Sequence, residues 1–317
     1  MVSGTAWVFI VLVGAFALTR GDYTLPIEEV LRTLSGHGTL ITYDVVVNNR
    51  LPRILTGVGV GMAFGMSGAI FQRLARNPLV SPDLIGINAG AALAAVLIIT
   101  VIGSGWIPLG ALVGSLVSAL CVYLLAYRNG VSGNRLVLVG VGVTAIVGSL
   151  TAYLLTLADI YTAKSASMWL AGSLAGRSWT HVVLIGITLF AGVPAAIVVE
   201  RQLRVLELGD DLARALGARV ETVRGVLIAL GVGLAAMATA TAGPIGFVAL
   251  VAPQLTRRLV ADRAARLPTS GAIGALLVVA SDLIARTVVA PTVLPVGVVT
   301  AFLGAPYLLF LIGRRVA

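Results

Sequence analysis

Residues 51–74 read LPRILTGVGVGMAFGMSGAIFQRL, and their interior, residues 54–72, carries no charged side chain. A helix of about 20 apolar residues crosses the hydrocarbon core of a bilayer, so this stretch predicts a membrane span. Gly61, Gly65 and Gly68 recur at i, i+4 and i+7 and share one face of that helix. Small residues on one face are typical of close helix packing in membranes, but they would equally form a smooth wall along a translocation path.

The composition extends this prediction to the whole chain. Of 317 residues, 58% are hydrophobic and 11% are charged, and the mean hydropathy is +1.03. Soluble globular proteins are about 25% charged, so these values exclude a soluble domain, a disordered chain and a disulfide scaffold. They predict an all-α polytopic membrane protein with about ten spans, organised as a single transmembrane domain over residues 1–317.

The apolar runs place the spans and the segments between them. The predicted spans are residues 5–18, 51–74, 85–102, 107–127, 136–157, 181–199, 226–242, 245–260, 270–289 and 296–312. Short amphipathic helices at the membrane surface are predicted for 25–34 and 159–177. The longest charged loop is 200–224.

The basic residues predict the orientation. Ten spans place both termini on one side, and if that side is cytoplasmic, fifteen of the 22 basic residues are cytoplasmic. The seven on the outer face are Arg20, Arg32, Arg50, Arg53, Lys164, Arg177 and Arg286. Cytoplasmic loops are enriched in Arg and Lys, so both termini are predicted to be cytoplasmic. Because the arginines lie between apolar runs rather than on one face, the net charge of +9 does not indicate a nucleic-acid partner.

The sequence lacks the residues that several chemistries require. Its single lysine, Lys164, follows Ala163, so there is no G-x-x-x-x-G-K-[ST] loop, and any ATP that drives the protein binds to a partner. His37 and His181 lie far apart without neighbouring carboxylates or cysteines, so no metal or cofactor site is expected in this chain. No catalytic set falls within the spans, which disfavours an enzyme.

Charged residues at the outer ends of two spans form a candidate binding site. Arg50 and Arg53 precede the second span and are either interfacial anchors or a docking site for an acidic partner. Asp282 and Arg286 lie at i, i+4, the spacing of an intrahelical ion pair. The three arginines together predict a rim that attracts anions.

The charged loop contains a predicted helix–turn–helix. Asp210 and Asp211 suit a helix N-terminus, and Gly217 suits a helix stop. Outside the membrane, such a helix is either a solvated face or a lever that docks into a soluble subunit.

A short, glycine-rich internal repeat favours a transporter. Residues 57–61 and 231–234 are each followed by a glutamine before a basic loop, Gln72 and Gln254. The second span starts outside and the seventh inside, so the two halves would have the inverted topology found in many transporters.

Several longer motifs follow one another along nearly the whole chain. They are RLPR (50–53), RNPL (76–79), PDLIG (82–86), WLAGS (169–173), LGDD to LG (208–217), GPIGF (243–247), DLIAR (282–286) and LPVG to GAP (294–306). In these motifs the chain resembles the iron-siderophore/vitamin B12 permeases of ATP-binding-cassette (ABC) importers. The Pro253-Gln254 pair, where many members have Pro-His, looks most like ferric-enterobactin-type subunits.

The resemblance implies a type II importer fold and a multi-pass subunit of the bacterial cytoplasmic membrane that passes a ferric siderophore inward by alternating access. It implies a dimer with an identical or homologous permease, a cytoplasmic ATPase dimer that binds ATP and Mg, and an extracytoplasmic substrate-binding protein. No covalent chemistry and no cofactor are then expected of this chain.

The resemblance also implies roles for individual residues. Arg50, Arg53 and Arg286 would meet acidic residues of the binding protein. The residues expected to couple to the ATPase are Asp210, Asp211, Ala213, Leu216 and Gly217. Apart from the resemblance, the residues predicted along the translocation path are Gly61, Gly65, Gly68, Gln72, Asn77, Pro78, Gly243, Pro244 and Gly246.

Other functions stay open at this point. A vitamin B12 or heme importer permease would share the fold. An ion-driven secondary transporter would require a buried ionisable group, for which Asp282 is the candidate. A structural scaffold would also account for the glycine-rich packing.

Overall fold

The computed structural model describes residues 2–21, 23–101, 104–128, 130, 132–260, 266–290 and 292–316. Within these ranges the secondary structure is helical, without a strand. Arg263, one of the predicted cytoplasmic arginines, lies outside the described residues, and so do the side chains of Arg314 and Arg315.

Fourteen α-helices occupy the described residues. They are α1 Val2–Thr19, α2 Ile27–Leu34, α3 Leu40–Tyr43, α4 Leu51–Leu74, α5 Ile87–Val101, α6 Ile107–Ala126, α7 Gly133–Leu157, α8 Ile160–Leu170, α9 Trp179–Glu207, α10 Asp210–Ala215, α11 Val220–Ala242, α12 Val248–Leu259, α13 Leu267–Thr287 and α14 Val296–Val316. A π-helical turn, Asp44–Arg50, joins α3 to α4. Short 3₁₀ turns, Pro82–Ile85 and Ser104–Trp106, precede α5 and α6.

The central element is α4, which packs against α13, α11, α12 and α9. Its most apolar window is 89% buried, whereas the corresponding windows of α7 and α9 are 17% and 22% buried. Large apolar side chains therefore point outward from α7 and α9, as in Leu138 and Phe190. This arrangement suits helices that face lipid around a protein-covered centre.

The glycines of α4 serve close packing. A Cβ atom at Gly61 or Gly65 would collide with the backbone of α13, and one at Gly68 would collide with the backbone of α12. All three glycines are buried. These contacts agree with the packing interpretation, and the placement of the three glycines along a translocation path stays a prediction.

The observed helices differ from several predicted spans. In the part of the chain that the structure describes, six helices are long and apolar enough to cross a membrane, and three shorter apolar segments are Gly4–Thr19, Ile87–Val101 and Val296–Phe310. The predicted span 245–260 is shortened to the twelve residues of α12, because Gly243 and Phe247 adopt positive φ angles of 78° and 65° that interrupt a helix. The count of ten crossings stays a prediction.

The segments predicted to lie outside the membrane also differ from the structure in their helix boundaries. The predicted interfacial helix 159–177 is helical only over α8. The predicted loop 200–224 contains the last turns of α9, the short α10 and the first turn of α11. The predicted helix, turn and second helix are present as α10, Gly217 and the start of α11, and the last turns of α9 extend the helical structure further into the charged segment.

Candidate functional sites at the two ends of α4

The N-terminal end of α4 carries an ion pair to α13. Arg53 donates to both carboxylate oxygens of Asp282, with Nε–Oδ1 at 3.0 Å and Nη2–Oδ1 at 2.8 Å. The predicted pair within α13 is also present, since Arg286 Nε lies 3.2 Å from Asp282 Oδ2. The sequence predicted only the contact of Arg286 with Asp282. In the structure Arg53 makes the shorter contact, and it donates to the carboxylate through both Nε and Nη2. Asp282 is 2% exposed, and its carboxylate contacts two guanidinium groups.

Arg50 is buried rather than exposed on a rim. Its guanidinium donates to the carbonyl oxygen of Leu18 at 2.6 Å and to that of Tyr23. The π-helical turn that ends at Arg50 aims this side chain toward the end of α1. Arg50 and Arg286 are 6% and 7% exposed.

A fourth arginine joins this end of the molecule. Arg177 lines the same cavity, of about 290 Å³, as Arg50, Arg53 and Arg286. Its Nε donates to the Ser173 carbonyl oxygen at 3.2 Å. Burial lowers the pKa of Arg177, but an arginine starts so high that its guanidinium stays charged.

We call these residues the N-end cluster: Arg50, Arg53, Arg177, Arg286 and Asp282. Among the described residues it holds four cations and one anion. Backbone carbonyls accept hydrogen bonds from Arg50 and Arg177 but do not cancel their formal charge. The cluster is therefore chemically suited to an anionic group.

The C-terminal end of α4 carries a second set of ion pairs. Arg73 donates to both oxygens of Glu207, at 2.7 and 3.1 Å, and its Nη1 lies 3.8 Å from Glu200. Both carboxylates belong to the last turns of α9. Arg73 is 8% exposed, and the forked geometry is the strong form of an arginine–carboxylate contact.

The same region holds the first residue of α10. Arg224 of α11 donates to both oxygens of Asp210, at 2.8 and 3.0 Å. Arg76 lies 3.5 Å from Asp210 and donates to the Leu206 carbonyl oxygen at 3.0 Å. We call this set the C-end cluster: Arg73, Arg76, Arg224, Glu200, Glu207 and Asp210. It holds three cations and three anions.

The helix α10 presents apolar side chains to solvent. Leu212 and Leu216 are 50% and 61% exposed, whereas Ala213 is buried in the main core. Gly217 follows with φ of 81° and ends the helix, and Asp211 points outward. Beside α10 lies a cleft of about 800 Å³.

The two glutamines of the internal repeat meet. Gln254 Nε2 donates to Gln72 Oε1 at 3.2 Å and to the Pro78 carbonyl oxygen at 2.5 Å. Gln72 in turn donates to the Leu250 carbonyl oxygen at 3.0 Å and accepts from Arg257. The Asn77 side chain instead caps its own turn by accepting from Leu79 N. Gln72 and Pro78 thus belong to one polar contact between α4 and α12.

The residues 243–246 lie between α11 and α12. Gly243 has a positive φ and approaches the carbonyl oxygen of Trp169, while the Pro244 carbonyl approaches Gly172. No heavy atom lies within 4 Å of where a Cβ would stand on Gly246. Gly246 therefore has open space beside it, whereas Gly243 is covered by the end of α8 and the segment after it.

Residues 9–314 match the FecCD transport family. The chain belongs to this family. The ferric enterobactin transport system permease FepG of Escherichia coli is 42% identical over 304 residues, which cover 95% of this chain and 92% of the relative. The achromobactin transport system permease CbrC of Dickeya dadantii is 39% identical, covering 98% and 90%.

A solved structure extends the similarity to three dimensions. A metal-chelate type ABC transporter in an inward-facing conformation superposes with a TM-score of 0.89 at 26% identity, covering 98% of both chains. The FecCD chain described here is accordingly a multi-pass membrane protein of the permease type, as its apolar helices indicate.

Sequence patterns missed part of both clusters of this FecCD protein. Arg177 was one of seven predicted outer basic residues, and its proximity to Arg50 depends on how the segment after α8 folds back. Arg73, Glu207 and Arg224 stand in charged segments without a fixed spacing to one another. The signal that could have found them was the concentration of acidic residues, Glu200, Glu207 and Asp210, in a segment on the same side of the membrane as Arg73 and Arg76.

Proposed function

We propose that this chain is the membrane-spanning permease subunit of an ABC importer that carries a ferric siderophore into the cytoplasm by alternating access. The observation that carries the proposal is the 42% identity, over 95% of the chain, to a ferric enterobactin permease. A second relative, from Bacillus subtilis and 39% identical over 97% of this chain, is named as a probable siderophore transport system permease. These relatives favour a siderophore over vitamin B12 or heme as the substrate.

We infer that the chain crosses the membrane ten times with both termini in the cytoplasm. The excess of basic residues on one side supports this orientation. The N-end cluster then lies at the outer surface and the C-end cluster at the cytoplasmic surface.

In this proposal the N-end cluster docks an extracytoplasmic binding protein. Its excess of cations supports contact with acidic side chains, because opposite potentials steer association and fix register. Arg50, Arg53 and Arg286 contribute through the cavity that they line, and Arg177 joins them.

The helix α10 is proposed to couple the permease to a cytoplasmic ATPase dimer. Exposed leucines outside the membrane support a protein partner, since water-facing apolar groups on a short helix are otherwise unfavourable. Leu212 and Leu216 would enter the partner, Asp211 would face its rim, and Asp210, Ala213 and Gly217 would hold the helix in place. ATP and Mg would bind to that partner, and this chain would bind no cofactor.

The translocation path is proposed to run between this subunit and a second permease, identical or homologous. The polar contact of Gln72 and Pro78 with Gln254, beside Asn77, would lie near its cytoplasmic end. The break at Gly243, Pro244 and Gly246 would lie on the same subunit, at the end of α11.

An ion-driven secondary transporter is less well supported. Its candidate proton or ion site, Asp282, is engaged by both Arg53 and Arg286.

The test is uptake by the complete importer in proteoliposomes. Ferric enterobactin labelled with radioactive iron should accumulate when ATP is supplied to the ATPase side, and hemin and cobalamin should not. A proton-gradient uncoupler should leave this uptake unchanged. Uptake that ignores ATP and stops with the uncoupler would overturn the proposal in favour of the secondary transporter.

A further inference from the structure

We propose that the C-end cluster transmits movement of α10 to α4, and that Arg73 and Glu207 are positioning residues for coupling. The inference rests on the proposed coupling role of α10. It concerns side chains that touch neither the substrate nor the ATPase, and that act by joining the helix that docks to the helix at the centre of the fold.

The first link joins α4 to the end of α9. Arg73 binds both oxygens of Glu207, which is the last residue of α9. Two residues, Leu208 and Gly209, separate Glu207 from α10. The connection is too short to absorb a large displacement, so movement of α10 pulls directly on the residue that holds α4.

The second link joins α10 to α11 and to the turn after α4. Asp210 is the first residue of α10, and Arg224 donates hydrogen bonds to both of its carboxylate oxygens. Arg76 reaches the same carboxylate and the Leu206 carbonyl oxygen. A single carboxylate thus ties α10 to two further segments of the chain.

A cleft lies between α10 and the turn after α4. The cleft of about 800 Å³ is lined by Leu74, Ala75 and Arg76 on one side and by Leu208 to Leu212 on the other. The helix α10 packs on α9 and α11. Across this cleft, Asp210 is joined to the turn after α4 through Arg76, whereas α9 also packs directly on α4 and Arg73 adds a polar contact at the end of that interface.

The cluster is also balanced in charge. Three carboxylates face three guanidinium groups, and removing the partner of a buried member such as Arg73 leaves an uncompensated charge. Such a network has well-defined geometry, which is what a mechanical link between two helices requires.

The test is a double-mutant cycle in the reconstituted importer with its ATPase and binding protein. The variants are Arg73→Gln, Glu207→Gln and the two combined, and the readout is ferric enterobactin transported per ATP hydrolysed. We expect each single variant to reduce this ratio by about fivefold or more, the lower range of measured allosteric couplings. The double variant should lose no more than the single variants, because the two residues act through one contact.

The matched control is Arg204→Gln. Arg204 also approaches Glu200, at 3.7 Å, but its side chain is 50% exposed and joins no second helix. This variant should keep the wild-type ratio. A purely structural role for the cluster would lower the amount of folded complex while leaving transport per ATP unchanged in the complexes that assemble.

The outcomes separate this proposal from the one on which it rests. If Leu216→Arg uncouples the importer while the cycle keeps the wild-type ratio, the link is overturned and the coupling role of α10 stands. If Leu216→Arg transports normally, the coupling role itself fails. Should Arg73→Gln fail to fold, Glu207→Gln carries the test, since the Glu207 side chain is 34% exposed and its loss is better tolerated.

Discussion

The two ends of α4 are built from the same residue types, but they differ in charge balance. The N-end cluster holds four arginines and one carboxylate among the described residues, whereas the C-end cluster holds three of each. Arg53 and Arg73, one in each cluster, are twenty residues apart, or about 30 Å along a helix. That distance matches the hydrocarbon core of a bilayer.

The difference in charge balance indicates whether the charges at each end are paired within the chain or are available to a partner. A cluster with equal charges is satisfied within its own chain and serves to hold helices together. A cluster with excess cations retains the capacity to bind an anionic partner. At the C-terminal end, the surface available to a partner is apolar and lies outside the cluster, at the exposed Leu212 and Leu216.

The largest expected effect is on the exposed apolar face of α10. Leu216→Arg should abolish ATP-dependent transport, because a charge would be forced into the apolar contact with the ATPase. The membrane fold should be intact, since Leu216 is 61% exposed. Uptake assays with a size-exclusion profile of the purified variant check both expectations, and normal uptake would contradict the assignment.

The second prediction compares the two clusters directly. Asp282→Asn should cost about 3–5 kcal/mol of stability, because two largely buried guanidinium groups lose their carboxylate. Glu207→Gln should cost less, since its side chain is 34% exposed and Glu200 stays near Arg73. Thermal unfolding of the two variants in the same detergent measures the difference. Equal losses of stability in the two variants would contradict the expectation that the more deeply buried carboxylate contributes more.

The third prediction concerns the helix between the clusters. Gly68→Ala should destabilise by about 1–3 kcal/mol, because an added methyl group overpacks the contact with α12. Gly142→Ala on α7 is the matched control, since nothing lies within 4 Å of its new Cβ. If both variants unfold at the same temperature, α4 is not the tightly packed rod that joins the two ends.

A smaller effect is expected at Arg177. Arg177→Gln should weaken docking of the binding protein severalfold at low salt, because it lowers the cation excess of the N-end cluster without touching the Arg53–Asp282 pair. The effect should shrink as salt screens the attraction. Binding isotherms at several salt concentrations test this, and a salt-independent loss would indicate a structural role instead.

The smallest effect is expected at a pair outside both clusters. Arg214 and Asp211 are 3.3 Å apart but lie on the surface of α10, and such exposed pairs contribute little. Arg214→Gln should therefore leave the melting temperature unchanged. A clear loss of stability would show that exposed pairs on this side also hold the helix.

The sequence predicted the class of fold better than it predicted the sites. Long apolar runs identify helices such as α4, because the bilayer imposes both their length and their composition. The end of α9 was placed at residue 199 rather than at Glu207, because charged residues continue a helix beyond the membrane without an apolar signal. The interruption at Gly243 and Phe247 likewise depends on backbone angles that apolar composition does not reveal.

The candidate sites depended on contacts between distant segments. The i, i+4 spacing predicted the pair of Asp282 with Arg286, since a helix fixes that geometry locally. The contact of Asp282 with Arg53 spans 229 positions, and no local rule anticipates it. The glycines of α4 carried two hypotheses in the sequence, and only the packed structure shows that α13 and α12 cover them.

The helix of α4 is continuous with α3 through the π-helical turn, so that one rod runs from Leu40 to Leu74. Its 35 residues extend over about 50 Å, well beyond the hydrocarbon core. Docking of a partner at one end and displacement of the other end would therefore act on the same continuous helix. If ATP binding displaces the cytoplasmic end of this rod and thereby changes the affinity of the outer end for the binding protein, thermodynamic reciprocity requires that a docked binding protein change the affinity for ATP by the same factor.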